Sequence, residues 1–184
     1  AFGGVNKSLG KLRHTAMNVR FALAGIGGAL AARSMVDASV GMEKLTLGLQ
    51  GATGSAEKGA VAFEYLNDTV DRLKLDLRSS GEAFALLTAA SRGTSLEGQA
   101  TREAFEAIAV ASKVMGRSAH DTSGVLYALQ QMISKGKVTS EELRRQMGDR
   151  LPGAFKMAAR AMNMTEHELD SAMRKGEIYA TDFI

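Results

Sequence analysis

One pattern occurs twice in this chain, and it constrains the fold more than any other. LQQMISKGKVTSEEL runs from Leu129 to Leu143, and LDSAMRKGEIYATDF runs from Leu169 to Phe183. Aligned, Lys135-Gly136 falls on Lys175-Gly176, Val138 on Ile178, Glu142 on Asp182 and Leu143 on Phe183, an offset of 176 − 136 = 40 residues. Each copy reads as a helix, a Lys-Gly stop, one buried β-branched residue and a new helix. A lysine at a helix C-terminus meets the negative end of the dipole, and a glycine just after it adopts the left-handed cap without strain. Two such units predict two helical corners. A long solenoid is not expected, because stable arrays usually need at least three repeats.

The rest of the chain agrees with a helical fold. It has one proline, Pro152, and no cysteine or tryptophan. Ala, Leu, Met, Glu, Lys and Arg are plentiful, and these favour helix. Four pairs have capping-box spacing, with Ser or Thr followed three residues later by Glu: Ser79 with Glu82, Thr94 with Glu97, Thr139 with Glu142, and Thr165 with Glu168. They predict short, sharply bounded helices. GATGS, from Gly51 to Ser55, reads as a loop. Apolar faces follow: Phe63, Leu66, Val70 and Leu73; Phe84 and Leu87; Phe105, Ile108, Ser112 and Met115; Leu126, Leu129 and Ile133, on a helix starting at Ser118; and Phe155, Ala159 and Met162. Leu143, Met147 and Leu151 form a stripe. Gly148 is expected to loosen or end their helix, and Pro152 to open the next one.

The N-terminal part is patterned differently. Val5, Leu9, Leu12, Ala16, Val19, Leu23, Ile26 and Leu30 alternate in fours and threes, a heptad seam. The pattern resumes in a new phase at Met35, Ala38, Met42, Leu45 and Leu49. The predicted fold class is therefore all-α. A long amphipathic or coiled-coil-like arm over 1–50 precedes a multi-helix domain with helical-hairpin corners over 51–184. Leu9, Leu12, Val19, Leu23, Ile26 and Leu30 are the candidate self-association seam, and packing within the chain would use the same stripe.

Composition narrows the chemistry. With no cysteine there is no disulfide, no thiolate nucleophile and no zinc–thiolate site. His14, His120 and His167 are far apart in sequence and lack metal-ligand spacing. GLQGATGSAEKG lacks the lysine–hydroxyl ending of a phosphate loop. No catalytic, cofactor-binding or metal residue is expected, and the chain is not expected to be an enzyme. The apolar run Phe21 to Ala32 is too short to cross a bilayer, which takes about 20 residues. Lys plus Arg number 23 against 20 Asp plus Glu, a net +3. This mild surplus names no partner. The start at AFGG and the end inside a new helix read as the edges of a piece of a longer protein.

SKGKVTSEELRRQMGDRLPGAF, Ser134 to Phe155, resembles the signature run of the tail tape measure proteins of phages and prophages. The matching positions are Gly136, Val138, Glu141, Glu142, Leu143, Arg144, Gln146, Gly148, Leu151, Pro152, Gly153 and Ala154. Met147 stands where that family often has leucine. KGEIYATDF, with Gly176, is also similar, as are FALLTAASRGTS and AIAVASKVMGRSAHDTSGVLYALQQM. The resemblance runs from about Leu45 to the end.

It implies a structural protein of the virion tail lumen, present in the host cytoplasm during assembly. Such a protein sets tube length and leaves ahead of the DNA at infection. Its implied partners are tail tube, tail tip and tail assembly chaperone proteins. A homo-oligomer through the arm, membrane contact by the full-length protein alone, and no specific nucleic acid complete the expectations. The rival reading is a helix-turn-helix-like DNA-binding module in which Lys137, Arg144 and Arg145 touch phosphate. Its would-be recognition helix also carries Glu141 and Glu142, with Asp149 just beyond, which repel phosphate. Glu141, Arg144, Arg145 and Arg150 otherwise read as a solvated or salt-bridged face.

Overall fold

The computed structural model describes residues 41–184, and the account below concerns the unit Lys44–Ile184. The proposed seam (Leu9, Leu12, Val19, Leu23, Ile26 and Leu30) lies outside the described residues, as do Met35 and Ala38.

Among the described residues the secondary structure is helical apart from one isolated antiparallel bridge. In order, the elements are α1 (residues 41–53), α2 (Ala56–Leu73), α3 (Leu77–Ser91), α4 (Gln99–Val114), α5 (Ala119–Lys135), a π-helix (Glu141–Met147), α6 (Ala154–Ala161), α7 (Glu166–Lys175) and α8 (Ala180–Phe183). The all-α expectation is met for these residues.

Helix α5 is the hub. It packs most extensively on α3, and also against α4, the π-helix and α8. Its boundaries are those predicted. Ser118 caps the start by accepting a hydrogen bond from the Asp121 N–H, and Gly136 ends it at φ 70°. The core holds Leu45, Leu49, Leu66, Phe84, Leu87, Phe105, Leu126, Met132, Leu143 and Leu169 among others. Phe84 sits between Tyr65 and Phe105, with ring centroids 5.5 and 4.9 Å away in tilted contact, a geometry that suits aromatic quadrupoles. At Gly81 a Cβ would come within 2.7 Å of both methyl carbons of Leu45. Leu45 fills the space that the missing side chain leaves.

Several predicted boundaries are corrected. GATGS is not a loop along its length. The helix continues to Thr53, whose hydroxyl donates to the Leu49 carbonyl at 2.8 Å, and only Gly54 and Ser55 break it. Ser79 and Glu82 form no capping box. Asp76 caps α3 first, accepting from the Ser79 N–H at 2.8 Å, while Glu82 faces solvent beside Arg78.

Thr94 and Glu97 organise a turn rather than a helix start. Glu97 accepts from the Gly93 N–H at 2.7 Å, and α4 begins only after Gly98 at φ 88°. Of the four boxes, Thr165 with Glu168 is formed reciprocally. Pro152 does not open the helix after it. It occupies the second position of a tight turn closed by the Ala154 N–H to the Leu151 carbonyl, with Gly153 third at φ 84°. That is the place where proline's fixed φ and glycine's left-handed freedom fit. Met115, predicted on a buried face, is 40% exposed.

Candidate functional site

The repeated corners meet. Val138 donates its N–H to the Ile178 carbonyl at 2.9 Å, and Ala180 donates its N–H to the Gly136 carbonyl at 3.1 Å. Between these bonds, Lys137 and Tyr179 form the antiparallel bridge. The local cause lies in the sequence. Gly136 and Gly176 end α5 and α7 in the left-handed region, at φ 70° and 72°. Each chain then runs extended for a few residues, which leaves backbone donors and acceptors in need of partners. The other corner supplies them. Val138 and Ile178 are buried beneath, so the period-2 alternation of extended backbone sends Lys137 and Tyr179 outward. The Lys137 ammonium lies 6.0 Å from the Tyr179 ring centroid.

The first corner is locked by a buried acid. Glu142 has no exposure, although it lies in a stretch read as polar. One carboxylate oxygen pairs with the Lys135 ammonium, and the other accepts from the Thr139 hydroxyl. Burial pushes the carboxyl pKa up, but the Lys135 and Thr139 hydrogen bonds outweigh it and hold the group below the ordinary carboxylate value. The predicted capping box here takes another form. Thr139 accepts from the Glu141 N–H at 3.3 Å, and its hydroxyl turns to the carboxylate. The second corner shares the glycine cap and the buried β-branched residue but not the lock. Asp182, aligned with Glu142, is exposed beside Thr181.

The segment Glu141–Met147 winds as a π-helix. Its wide turn closes with the Gly148 N–H bonded to the Leu143 carbonyl, five residues back, at 3.1 Å. A Cβ on Gly148 would lie 2.1 Å from the Arg144 carbonyl oxygen. Glycine is therefore needed there for close backbone approach, since its φ is an ordinary −62°. Leu143 and Met147 face the core. Gln146 donates to the Gln131 side chain at 3.2 Å and ties the π-helix to α5. Pro152 and Gly153 are exposed in the turn that follows.

The charged positions are occupied. Arg144 pairs with Asp170 at 3.3 Å and stacks over the Phe155 ring at 4.0 Å, joining the π-helix to α7 and α6. Arg145 pairs with Glu141 at 3.1 Å. Arg150 donates to the Gln146 carbonyl at 2.9 Å. Arg144 and Arg145, which a DNA-binding reading would place on phosphate together with Lys137, thus both already face acids. His120 and His167 lie exposed on different helices. Among the described residues there is no group of three His, Asp or Glu arranged to hold a metal, and no helix long and apolar enough to cross a membrane.

The structure thus unites most of the signature residues: Gly136, Val138, Glu142, Leu143 and Gly176 at the corners, with Glu141 and Gln146 on the adjoining turn. It does not join Pro152 and Gly153 to them directly. Missed from sequence were Lys135 as the partner of Glu142, the corner-to-corner pairing, and the π-turn. Gly148, six residues after Glu142 and read as loosening the helix, was the available hint of the last.

Comparison with known proteins accounts for the same stretch. A family model described as tape measure protein matches residues 33–184. A protein of Salmonella phage Felix O1 (isolate Felix O1-VT1), called a probable tape measure protein, is 42% identical over 86 residues. That match covers 47% of this chain and 12% of the relative's length. No solved structure matches the chain. With the family model covering most of its residues, the corner-forming chain belongs to the tape measure proteins of phage tails.

Proposed function

We propose that this chain is a folded segment of a tape measure protein that sets tail tube length during assembly and is ejected at infection. The observation that supports this reading is the family match over 33–184. The site geometry agrees with it, because the signature residues placed above have architectural tasks at the corners and the π-helix. The proposed setting is the tail lumen, after a cytoplasmic assembly stage. The proposed partners are tube, tip and chaperone proteins.

A helix advances about 1.5 Å per residue, so chain length can fix tube length. A segment that folds back at every turn measures little length. The ruler is then carried by other parts of the full-length protein, and this unit acts as a globular module on it. Insertions in the phage test the division of labour. Forty helix-forming residues added in the ruler portion should lengthen tails by roughly 60 Å in electron micrographs. The same number added between the exposed Glu97 and Gly98, in the turn before α4, should leave length unchanged. Proportional lengthening from the turn would place the ruler in this segment, and no lengthening from either insertion would overturn the tape measure function.

A further inference from the structure

Helix α4 lies across a pair of helices that already pack on each other. The α3–α5 contact is the most extensive in the unit. The two helices start side by side, with the Ser123 hydroxyl 3.5 Å from the Ser79 carbonyl oxygen. The chain between them, 92–118, is an excursion of 118 − 92 + 1 = 27 residues that α4 mostly fills. Glycines in the left-handed region flank the helix, Gly98 at φ 88° and Gly116 at φ 63°, and a Cβ at either would meet nothing within 4 Å. Both connections can therefore turn without steric cost.

The hold on α4 is weak. Its buried residues are Thr101, Phe105, Ala109 and Ser112, and Phe105, resting on Phe84, is the large apolar one among them. Ala100, Ala104, Ile108 and Ala111 add partly buried contacts. The Ser112 hydroxyl is buried without a hydrogen-bond partner. So is Nε of Arg117 just past the helix, although the same guanidinium pairs with Asp121. Such groups regain water when they are uncovered, which lowers the cost of opening. Toward α2 the links are polar. The Tyr65 hydroxyl donates to the Arg102 carbonyl at 2.9 Å, with the Arg102 guanidinium 5.0 Å from the Tyr65 ring centroid. Arg72 pairs with Glu106 at 2.9 Å, and Lys113 donates to the Leu73 carbonyl at 2.7 Å. Exposed polar links of this kind stabilise little. Depressions of about 520, 580 and 190 Å³ run beside α4, one against Tyr65, one over Phe84 and one by Ser80.

We propose that α4 is a detachable strap, which lifts off α3 and α5 as one unit while those helices stay packed, and so uncovers Phe84. Segments held by few buried apolar contacts open locally at a lower free energy than the whole fold. Tension on the chain ends passes through the direct α3–α5 contact and bypasses the strap, so the opening is thermal. The proposal does not depend on how tail length is set.

Native-state hydrogen exchange on the 184-residue chain tests this. A helix of 16 residues is marginal alone in water, so an undocked α4 loses its amide protection. The inner amides of α4, Phe105 to Ala111, should share one protection factor, at least about a hundredfold below that of Val125 to Met132 on α5. The shared value should fall with added urea, because undocking exposes surface. Equal protection in α4 and α5 would overturn the proposal. So would α4 amides that exchange one by one without urea dependence, which would mean fraying. Phe105→Ala removes the large apolar contact. It should bring the α4 amides close to unprotected exchange and leave α5 protected. Loss of α5 protection together with α4 in that variant would show that α4 is integral to the core, and would equally overturn the strap.

Discussion

Glu142 is the charged residue with no exposure among those described, and its energetics follow from its two partners. A buried carboxylate is costly unless it is paired and hydrogen-bonded. Lys135 and Thr139 meet that condition, while the lysine itself remains 53% exposed. Lys135→Ala would leave the acid with one hydroxyl donor. The expected loss is about 1–3 kcal/mol in urea unfolding, the range for stranding a buried polar group. An unchanged midpoint would mean that water replaces the ammonium without cost.

The same residue carries a pH signature. Its carboxyl is held below the ordinary value of 4.5. The native state therefore favours the ionised form, and the resulting stability is complete above about pH 4.5. It is lost as the pH falls through the lower folded value. Asp76, Glu106 and Glu168 are lowered as well, by the Ser79 N–H, the Arg72 guanidinium and the Thr165 N–H respectively, and they titrate in the same direction. The diagnostic quantity is thus a difference. The stability gap between wild type and Glu142→Gln should narrow as the pH drops from 6 to 3, and a constant gap would show that Glu142 contributes through shape alone.

At the scale of elements, glycine has two separate uses here, and substitutions distinguish them. Gly136 has open space around its missing Cβ but φ at 70°. Gly136→Val should therefore cost about 1–2 kcal/mol through backbone strain alone, read as a melting temperature a few degrees lower. Gly148 is the reverse case, with helical φ and no room. In an ordinary helix, glycine to alanine gains up to about 1 kcal/mol. At Gly148 the sign should invert, because the Arg144 carbonyl must move and the π-turn must reorganise. A Gly148→Ala protein more stable than wild type in thermal melts would contradict the wide turn.

These two glycines also mark what the sequence could disclose. Gly136 was legible because a left-handed cap follows a local rule: lysine, glycine, then a buried β-branched residue. The 40-residue repeat exposed its twin for the same reason. Gly148 was read only as a loosening of the helix, since a π-turn depends on a bond to the carbonyl five residues back and has no local composition rule. Thr165 with Glu168 formed the capping box that its spacing predicted, whereas Ser79 with Glu82 failed for a related reason. Ser79-x-x-Glu82 has the right spacing, but Asp76, three residues earlier, claimed the helix end first. Glu142 was read as closing a capping box with Thr139, and its burial went unread because burial is decided by tertiary contacts that one helix does not encode.

For the whole molecule, the pairing of the corners sets the order in which the unit should come apart under tension. The Val138–Ile178 and Ala180–Gly136 hydrogen bonds join two short antiparallel extended segments at the C-terminal end. A pull on Ile184 meets the Ala180 bond first and the Val138 bond next, so they are loaded one after another rather than together. Beyond them the π-helix, α6, α7 and α8 reach the rest of the unit chiefly through α5. The α3–α5 pair is the most extensive contact and binds the other half.

Stretching between Lys44 and Ile184 should therefore release 136–184 first. The α1–α5 half, with Phe84 and Phe105 packed together, should hold to higher force. In an optical trap this predicts two steps. The first should correspond to 184 − 136 + 1 = 49 residues, or roughly 160–175 Å of extended chain. Gly136→Val should lower the force of that first step and leave the second unchanged, because the strained cap is relieved once the corner opens. A single step releasing the whole unit would mean that the corners and the α3–α5 core yield together, and that 136–184 is not a mechanically separable element.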